Sequence, residues 1–197
     1  MSTVVRSCNT TRQIITRMFF LLLLLAFAAL AGAASLDERR AEVRTESKNA
    51  LSRLYEAAPS ARGVVEHAAG YATFENFGIK IGPAGGGKGK GLAVATKDGK
   101  ETFMQFVEVQ AGLGLGVKKY SLVFVFETEK ALDDFVNNGW QSGGQTTAAA
   151  KHGGSGTAFA SAVSVSPGVW LYQTTAAGLA ADVTLKTTKY YKDDELN

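Results

Sequence analysis

The chain has 197 residues, with 21 Lys+Arg against 18 Asp+Glu, 22 Gly, two His and a single Cys. One cysteine excludes an intrachain disulfide framework. The charge excess is too small for a protein built to coat nucleic acid.

Residues 1–33 read as an export signal and not as part of the fold. Arg6, Arg12 and Arg17 precede an apolar run from Met18 to Leu30, and Ala31-Gly32-Ala33 supplies small residues of the kind a signal peptidase reads. Thirteen apolar residues fall short of the about 20 that cross hydrocarbon comfortably. Cys8 lies before the apolar run, which argues against a lipid anchor on a cysteine just after it. Taking away those three arginines leaves 18 basic residues against 18 acidic, so the remainder, 34–197, is formally neutral. Its 164 residues suit one domain with a real core.

A helix is predicted over 35–58. Ser35 followed by Glu38 forms a capping box, and Pro59 ends the element. Leu36, Val43, Ala50, Leu51 and Leu54 share one face at helical spacing. Arg40, Arg44 and Lys48 adjoin that face, and Glu38, Glu42 and Glu46 form a stripe on the far side. Basic residues beside an apolar stripe suit a membrane surface; packing on a sheet is the plainer reading, since the acidic stripe is equally long. A second short helix is expected from Ser60 to Ala69, with Gly70 as its C-cap residue.

Short β-rich runs follow. Tyr71–Phe77, Leu92–Thr96, Thr102–Val117 and Leu122–Phe126 read as consecutive antiparallel strands, joined by a Gly-rich turn over 82–91 and a turn at Lys97-Asp-Gly-Lys100. Gly112, Gly114 and Gly116 leave one strand face bare, so that a backbone or a flat apolar ligand can approach. Thr128 caps a helix to Asn138, with Ala131, Leu132, Phe135 and Val136 inward and Gly139 closing it. Further strands are read at 158–165, 169–172 and 178–185, and a polar tail over 189–197. The fold class is α+β: N-terminal amphipathic helices packed on a curved antiparallel sheet or small β-barrel.

No catalytic signature emerges. Gly82–Lys88 matches the first seven positions of a phosphate-binding loop, but Gly89 stands where Ser or Thr should hold magnesium, and a strand follows where a helix should open. No nucleophile elbow accompanies His67 or His152. Asp193, Asp194 and Glu195 cluster in the tail, where solvated charge is the simple account. No catalytic residue, metal site or cofactor is expected.

At this point Ala72-Thr-Phe74, the Gly-rich 85–91, Leu92-Ala-Val94, Gln110-Ala-Gly-Leu-Gly114, Leu122–Phe126 and Gly178-Leu-Ala-Ala-Asp182 with Tyr190-Tyr191 resemble the SYLF domain family over about 37–197. The resemblance implies lipid binding: phosphoinositides in eukaryotic members that also touch actin, and an exported lipid-binding protein in bacterial ones. The chain departs from the family where Glu75-Asn-Phe77 stands in place of a proline soon after the first Phe. The expected function is non-catalytic binding of phospholipid or a membrane surface in the cell envelope, periplasmic or peripherally membrane-associated. The contacts expected are Arg40, Arg44, Lys48, Lys88, Lys90, Lys118 and Lys119. Lys118 and Lys119 have a plain alternative as a charged hairpin turn. A structural or adaptor protein with an envelope protein partner is the alternative function; no nucleic acid is expected.

Overall fold

The computed structural model describes residues 35–142, 151–152, 159, 161–175, 178–179 and 187–197; of 76–85, 110–119, 142 and 151–152 it describes the backbone. The export signal read over 1–33 therefore lies outside the described residues. Internal contacts divide the chain into Met1–Glu38 and Arg39–Asn197. Within the first unit, the capping box forms: Ser35 N donates to Glu38 Oε2 at 2.7 Å, and Glu38 N donates to Ser35 Oγ at 3.2 Å.

The elements in chain order are α1 (Leu36–Ala57), α2 (Ala61–His67), β1 (Gly70–Ala95), β2 (Glu101–Phe126), α3 (Glu129–Asn138), β3 (Trp140–Ser142), β4 (Lys151–His152), β5 (Val163–Ser166), β6 (Val169–Thr175), β7 (Gly178–Leu179) and β8 (Thr187–Lys192). The class is α+β, as expected from the sequence, with an antiparallel sheet curled into a half-barrel.

Its frame is one long ribbon. β1 and β2 have 26 residues each and pair antiparallel along nearly their whole length. On its other edge β2 pairs with β8 through Met104–Val109 and with β6 through Ser121–Phe126. A straight strand of that length would reach about 85 Å, while a domain of this size has a radius of gyration of about 15 Å. The ribbon must fold over. The sequence reading of four strands and a Gly-rich turn is corrected here: residues 82–91 are strand, paired with 104–114, and the tight turn of the ribbon is Thr96–Lys100. Glycine misled the reading because it also marks bends and close approaches within strands.

A register shift between Gly82 and Ala84 accompanies the bend. A one-residue slip swaps the faces of a strand. Accordingly Ala72 and Phe74 face the interior before the shift, and Ala93 does so after it. Gly89 and Gly91 share that later parity. A Cβ on Gly91 would overlap the carbonyl oxygen of Thr73 and the ring of Phe74; one on Gly89 would overlap the carbonyl oxygen of Glu75 and the ring of Phe106. The first half of β1 thus crosses the inner face of the second half in backbone contact, which glycine alone permits.

Met104, Phe106, Tyr120, Leu122, Phe124 and Phe126 of β2 point into the concave side. Phe106, Phe124 and Phe126 there meet Phe74, Phe135, Trp140 and Tyr190 in one aromatic cluster; Phe124 lies edge-on to Phe74 and Tyr190 with centroids 5.9 and 5.2 Å apart. Burial raises the Tyr190 phenol well above its ordinary range, and the nearby Glu108 carboxylate adds to it. α3 closes this side with Leu132 and Phe135. Thr128 Oγ1 accepts from Ala131 N at 3.2 Å, and Gly139, at φ +70°, turns the chain against the carbonyl of Tyr190. The odd-numbered residues face outward and are covered in part. Val123 and Val125 lie under α1 and α2 with Ala50, Leu54, Ala61 and Val65. Phe103 lies under Val43 with Leu92 and Leu196.

Two details differ from the sequence reading. α2 ends at His67 with Ala68 extended, so Gly70 is not its cap; Gly70 opens β1, where a Cβ would come within 2.6 Å of Val94 O and Leu132 Cδ2. The polar tail is not a solvated end. Tyr190 and Leu196 are buried, and the Asn197 side chain brackets Phe103, accepting from its N–H at 2.9 Å and donating to its carbonyl at 2.8 Å.

Candidate binding surface

Of the seven cations expected at a site, Arg40, Arg44 and Lys90 are engaged by other parts of the chain, whereas Lys48 and Lys88 are exposed. On α1, Arg40 Nε donates to the carbonyl of Leu196 at 2.7 Å. Arg44 Nε donates to Glu101 Oε2 at 2.7 Å, and its guanidinium lies over the Phe103 ring, 5.1 Å from the centroid. Lys48 is exposed and has no partner among the described residues. These contacts fasten α1 to the sheet. Arg39, unremarked in the sequence, grips Glu195 with both nitrogens; the pairing raises the guanidinium pKa and lowers that of the carboxyl. Further along, Arg53 reaches Glu75 and Ser121, and Ser121 donates to Glu75 Oε1 at 2.7 Å. Glu75 is the residue at which the chain departs from the family pattern, and here it anchors the helix.

Lys90 Nζ donates to Asp193 Oδ2 at 2.9 Å, where Asp193 is almost wholly buried. Lys88 is exposed on the outer face of β1 and has no partner among the described residues. Lys118 and Lys119 lie inside β2, opposite Gly78 and Phe77. The hairpin-turn alternative for them is therefore excluded; their side chains lie outside the described residues.

Register then brings together what sequence separation hides. Val107 of β2 stands between Lys88 of β1 and Lys189 of β8, and Lys189 stands beside Gln141 of β3. One step along the same face, Val109 stands between Gly86 and Thr187. Val107 is 43% exposed and Val109 66% exposed. Lys189 is exposed, with its ammonium 6.0 Å from the Tyr191 ring centroid. The result is two bare valines on a sheet face, with a lysine on each side of the first. Lys189 escaped sequence reasoning because the tail reads as polar end rather than strand. The alternation Thr187-Thr188-Lys189-Tyr190-Tyr191, with buried Thr188 and Tyr190, carries the strand signal.

Among the described residues, no catalytic arrangement is assembled at His67. His67 lines a groove of about 480 Å³ with Ser60, Glu127, Val64 and Phe159. Its Nδ1 is bonded to Gly63 O at 2.8 Å, and no hydrogen bond among the described residues joins it to Ser60 or Glu127. His152 lies in β4, with its side chain outside the described residues. Asp193 and Glu195 are engaged by Lys90 and Arg39, and the described residues hold no cluster of metal-ligating side chains.

The fold is a curled α+β sheet whose face at Val107 and Val109 is bare and edged by Lys88 and Lys189. Residues 107–197 match the model of the Ysc84, or SYLF, family, whose description reads "Las17-binding protein actin regulator". The chain is also similar to a protein of Aeromonas veronii named "Beta cell expansion factor A", 32% identical over 162 residues, which is 81% of this chain. The chain spans 59% of that relative's length. The family match covers β8, Val107 and Val109, while Lys88 and all of α1 precede it.

Proposed function

We propose that this protein binds anionic phospholipid surfaces without catalysis, docking through the outer sheet face at Val107 and Val109. The observation that carries the reading is the exposure of these two valines beside Lys88 and Lys189. Apolar side chains at a bilayer interface lose water contact at about 25 cal/mol per Å². Lysines at the level of anionic head groups add about 1 kcal/mol each. The described residues contain no helix long and apolar enough to cross a membrane, so the lipid contact proposed is peripheral. Export of the chain through the signal at 1–33, and a periplasmic or membrane-associated location, belong to the same proposal. So do the other candidate contacts, of which Lys48 is already exposed.

Co-sedimentation with phosphatidylglycerol and phosphatidylcholine vesicles at low salt tests it. Binding to the anionic vesicles is expected, weakened about tenfold or more by Val107→Ser with Val109→Ser, and by Lys88→Glu with Lys189→Glu. Wild-type protein that ignores both vesicles, while holding one stoichiometric protein partner, moves the reading to an adaptor role.

A further inference from the structure

Next to the bare valines, the same outer face is occupied by the chain's own C-terminal segment. Asp193 receives Lys90, Glu195 receives Arg39, the Leu196 carbonyl receives Arg40, and the Leu196 side chain is buried with Leu92, Phe103 and Val43. Asn197 bonds both the N–H and the carbonyl of Phe103. Three cations are therefore held by five consecutive residues, beside Phe103, which is separated from Val107 and Val109 on the same strand face by Gln105. The carboxylates of Asp193 and Glu195 thus occupy Lys90 and Arg39, the kind of cation that pairs with a lipid phosphate.

Resting on the lipid-surface reading above, we infer that residues 193–197 form an autoinhibitory latch. They keep Lys90, Arg39, Arg40 and the Phe103 side of the face from a membrane until anionic head groups displace the acidic side chains. Displacement exchanges one set of anions for another, so it is favoured by a dense anionic surface and opposed by salt. It also lifts the Leu196 side chain off Leu92 and Phe103, while Val43 and Arg44 of α1 stay over them.

The test compares Glu195→Gln with Asp194→Asn. Both remove one negative charge, but only Glu195 grips α1; Asp194 is exposed with no partner among the described residues. Hydrogen exchange without lipid reads the latch itself. Faster exchange at the amides of Phe103, Asp193 and Asn197 is expected in Glu195→Gln and not in Asp194→Asn. Phosphatidylglycerol vesicles read its consequence. Freeing one cation is expected to lower the lipid needed for half-binding about fivefold beyond the matched charge control. Equal exchange in the two variants overturns the latch. Faster exchange with identical vesicle affinities overturns its inhibitory role. Faster exchange in Glu195→Gln with no variant binding any vesicle refutes the lipid reading, and the role of the latch with it, while leaving the contact established.

Discussion

Phe103 and Val107 stand on the same face of the same strand, yet one is 5% exposed and the other 43%. The difference lies in what the neighbouring elements offer. Above Phe103 are Val43 of α1, Leu196 of the C-terminal segment and the guanidinium of Arg44. Beside Val107, among the described residues, stand Lys88 and Lys189, while the later part of α1 packs on Val123 and Val125. Cover on this sheet takes both an apolar partner and a charge pair to hold it; where no acid among the described residues meets the cations, the face is open. A protein that needed this face only for folding would gain by covering the valines too.

The comparison breaks most visibly in stability. Phe103→Ala should cost about 3–5 kcal/mol, the usual range for a buried Phe. Val107→Ala should stay within about 0.5 kcal/mol, as exposed substitutions do. Urea denaturation of the two variants checks this. Equal costs would mean that the bare half is structural after all.

A second contrast lies among the arginines of α1. Arg53 meets Glu75, whose side chain is only 12% exposed, whereas Arg44 meets the more open Glu101. Removing Arg53 takes the cation from a nearly buried carboxylate that keeps the Ser121 hydroxyl, so Arg53→Ala should cost about 1–3 kcal/mol. For Arg44→Ala about 1 kcal/mol or less is expected from the half-exposed ion pair. A double-mutant cycle of Arg53→Ala with Glu75→Gln measures the first coupling; a cycle value near zero would show that the network does not hold the helix.

The covered half was far more legible in the sequence than the bare one. Ser35 and Glu38, Thr128 and Gly139 announce helix ends because capping is local chemistry. Val43, Ala50 and Leu54 show their face by period, although Leu36 at the head of that stripe is 45% exposed. The alternation of Phe103, Gln105 and Val107 was visible too, but not which of them a helix would reach. Nothing in the sequence says that Lys88, Val107 and Lys189 align, because that depends on the register of three strands far apart in the chain. Nor does composition separate a glycine that turns a chain, such as Gly99 at φ +69°, from Gly91, which admits a crossing backbone. The C-terminal residues misled for a related reason. Asp193 and Glu195 look solvated until Lys90 and Arg39 are placed beside them.

The smallest effect concerns that last pair and is read against pH. Arg39 holds the folded Glu195 carboxyl below its ordinary value, 4.5. A group whose pKa is depressed by folding lends stability that is present above the unfolded value and lost as pH falls through the folded one. Arg39 itself, raised further above its ordinary value by the same contact, stays charged throughout this range and contributes no slope there. The acid limb of the wild-type stability profile, below about pH 4.5, should therefore contain a contribution that Glu195→Gln removes. Because Glu195 is largely exposed and screened, the change should be a slight flattening of the urea midpoint against pH, reduced further by salt. Asp194→Asn should leave that limb with its wild-type shape. If the two variants flatten it alike, acidity at the C-terminal segment acts through general charge, and the bidentate contact to Arg39 is not what distinguishes the covered half of the sheet.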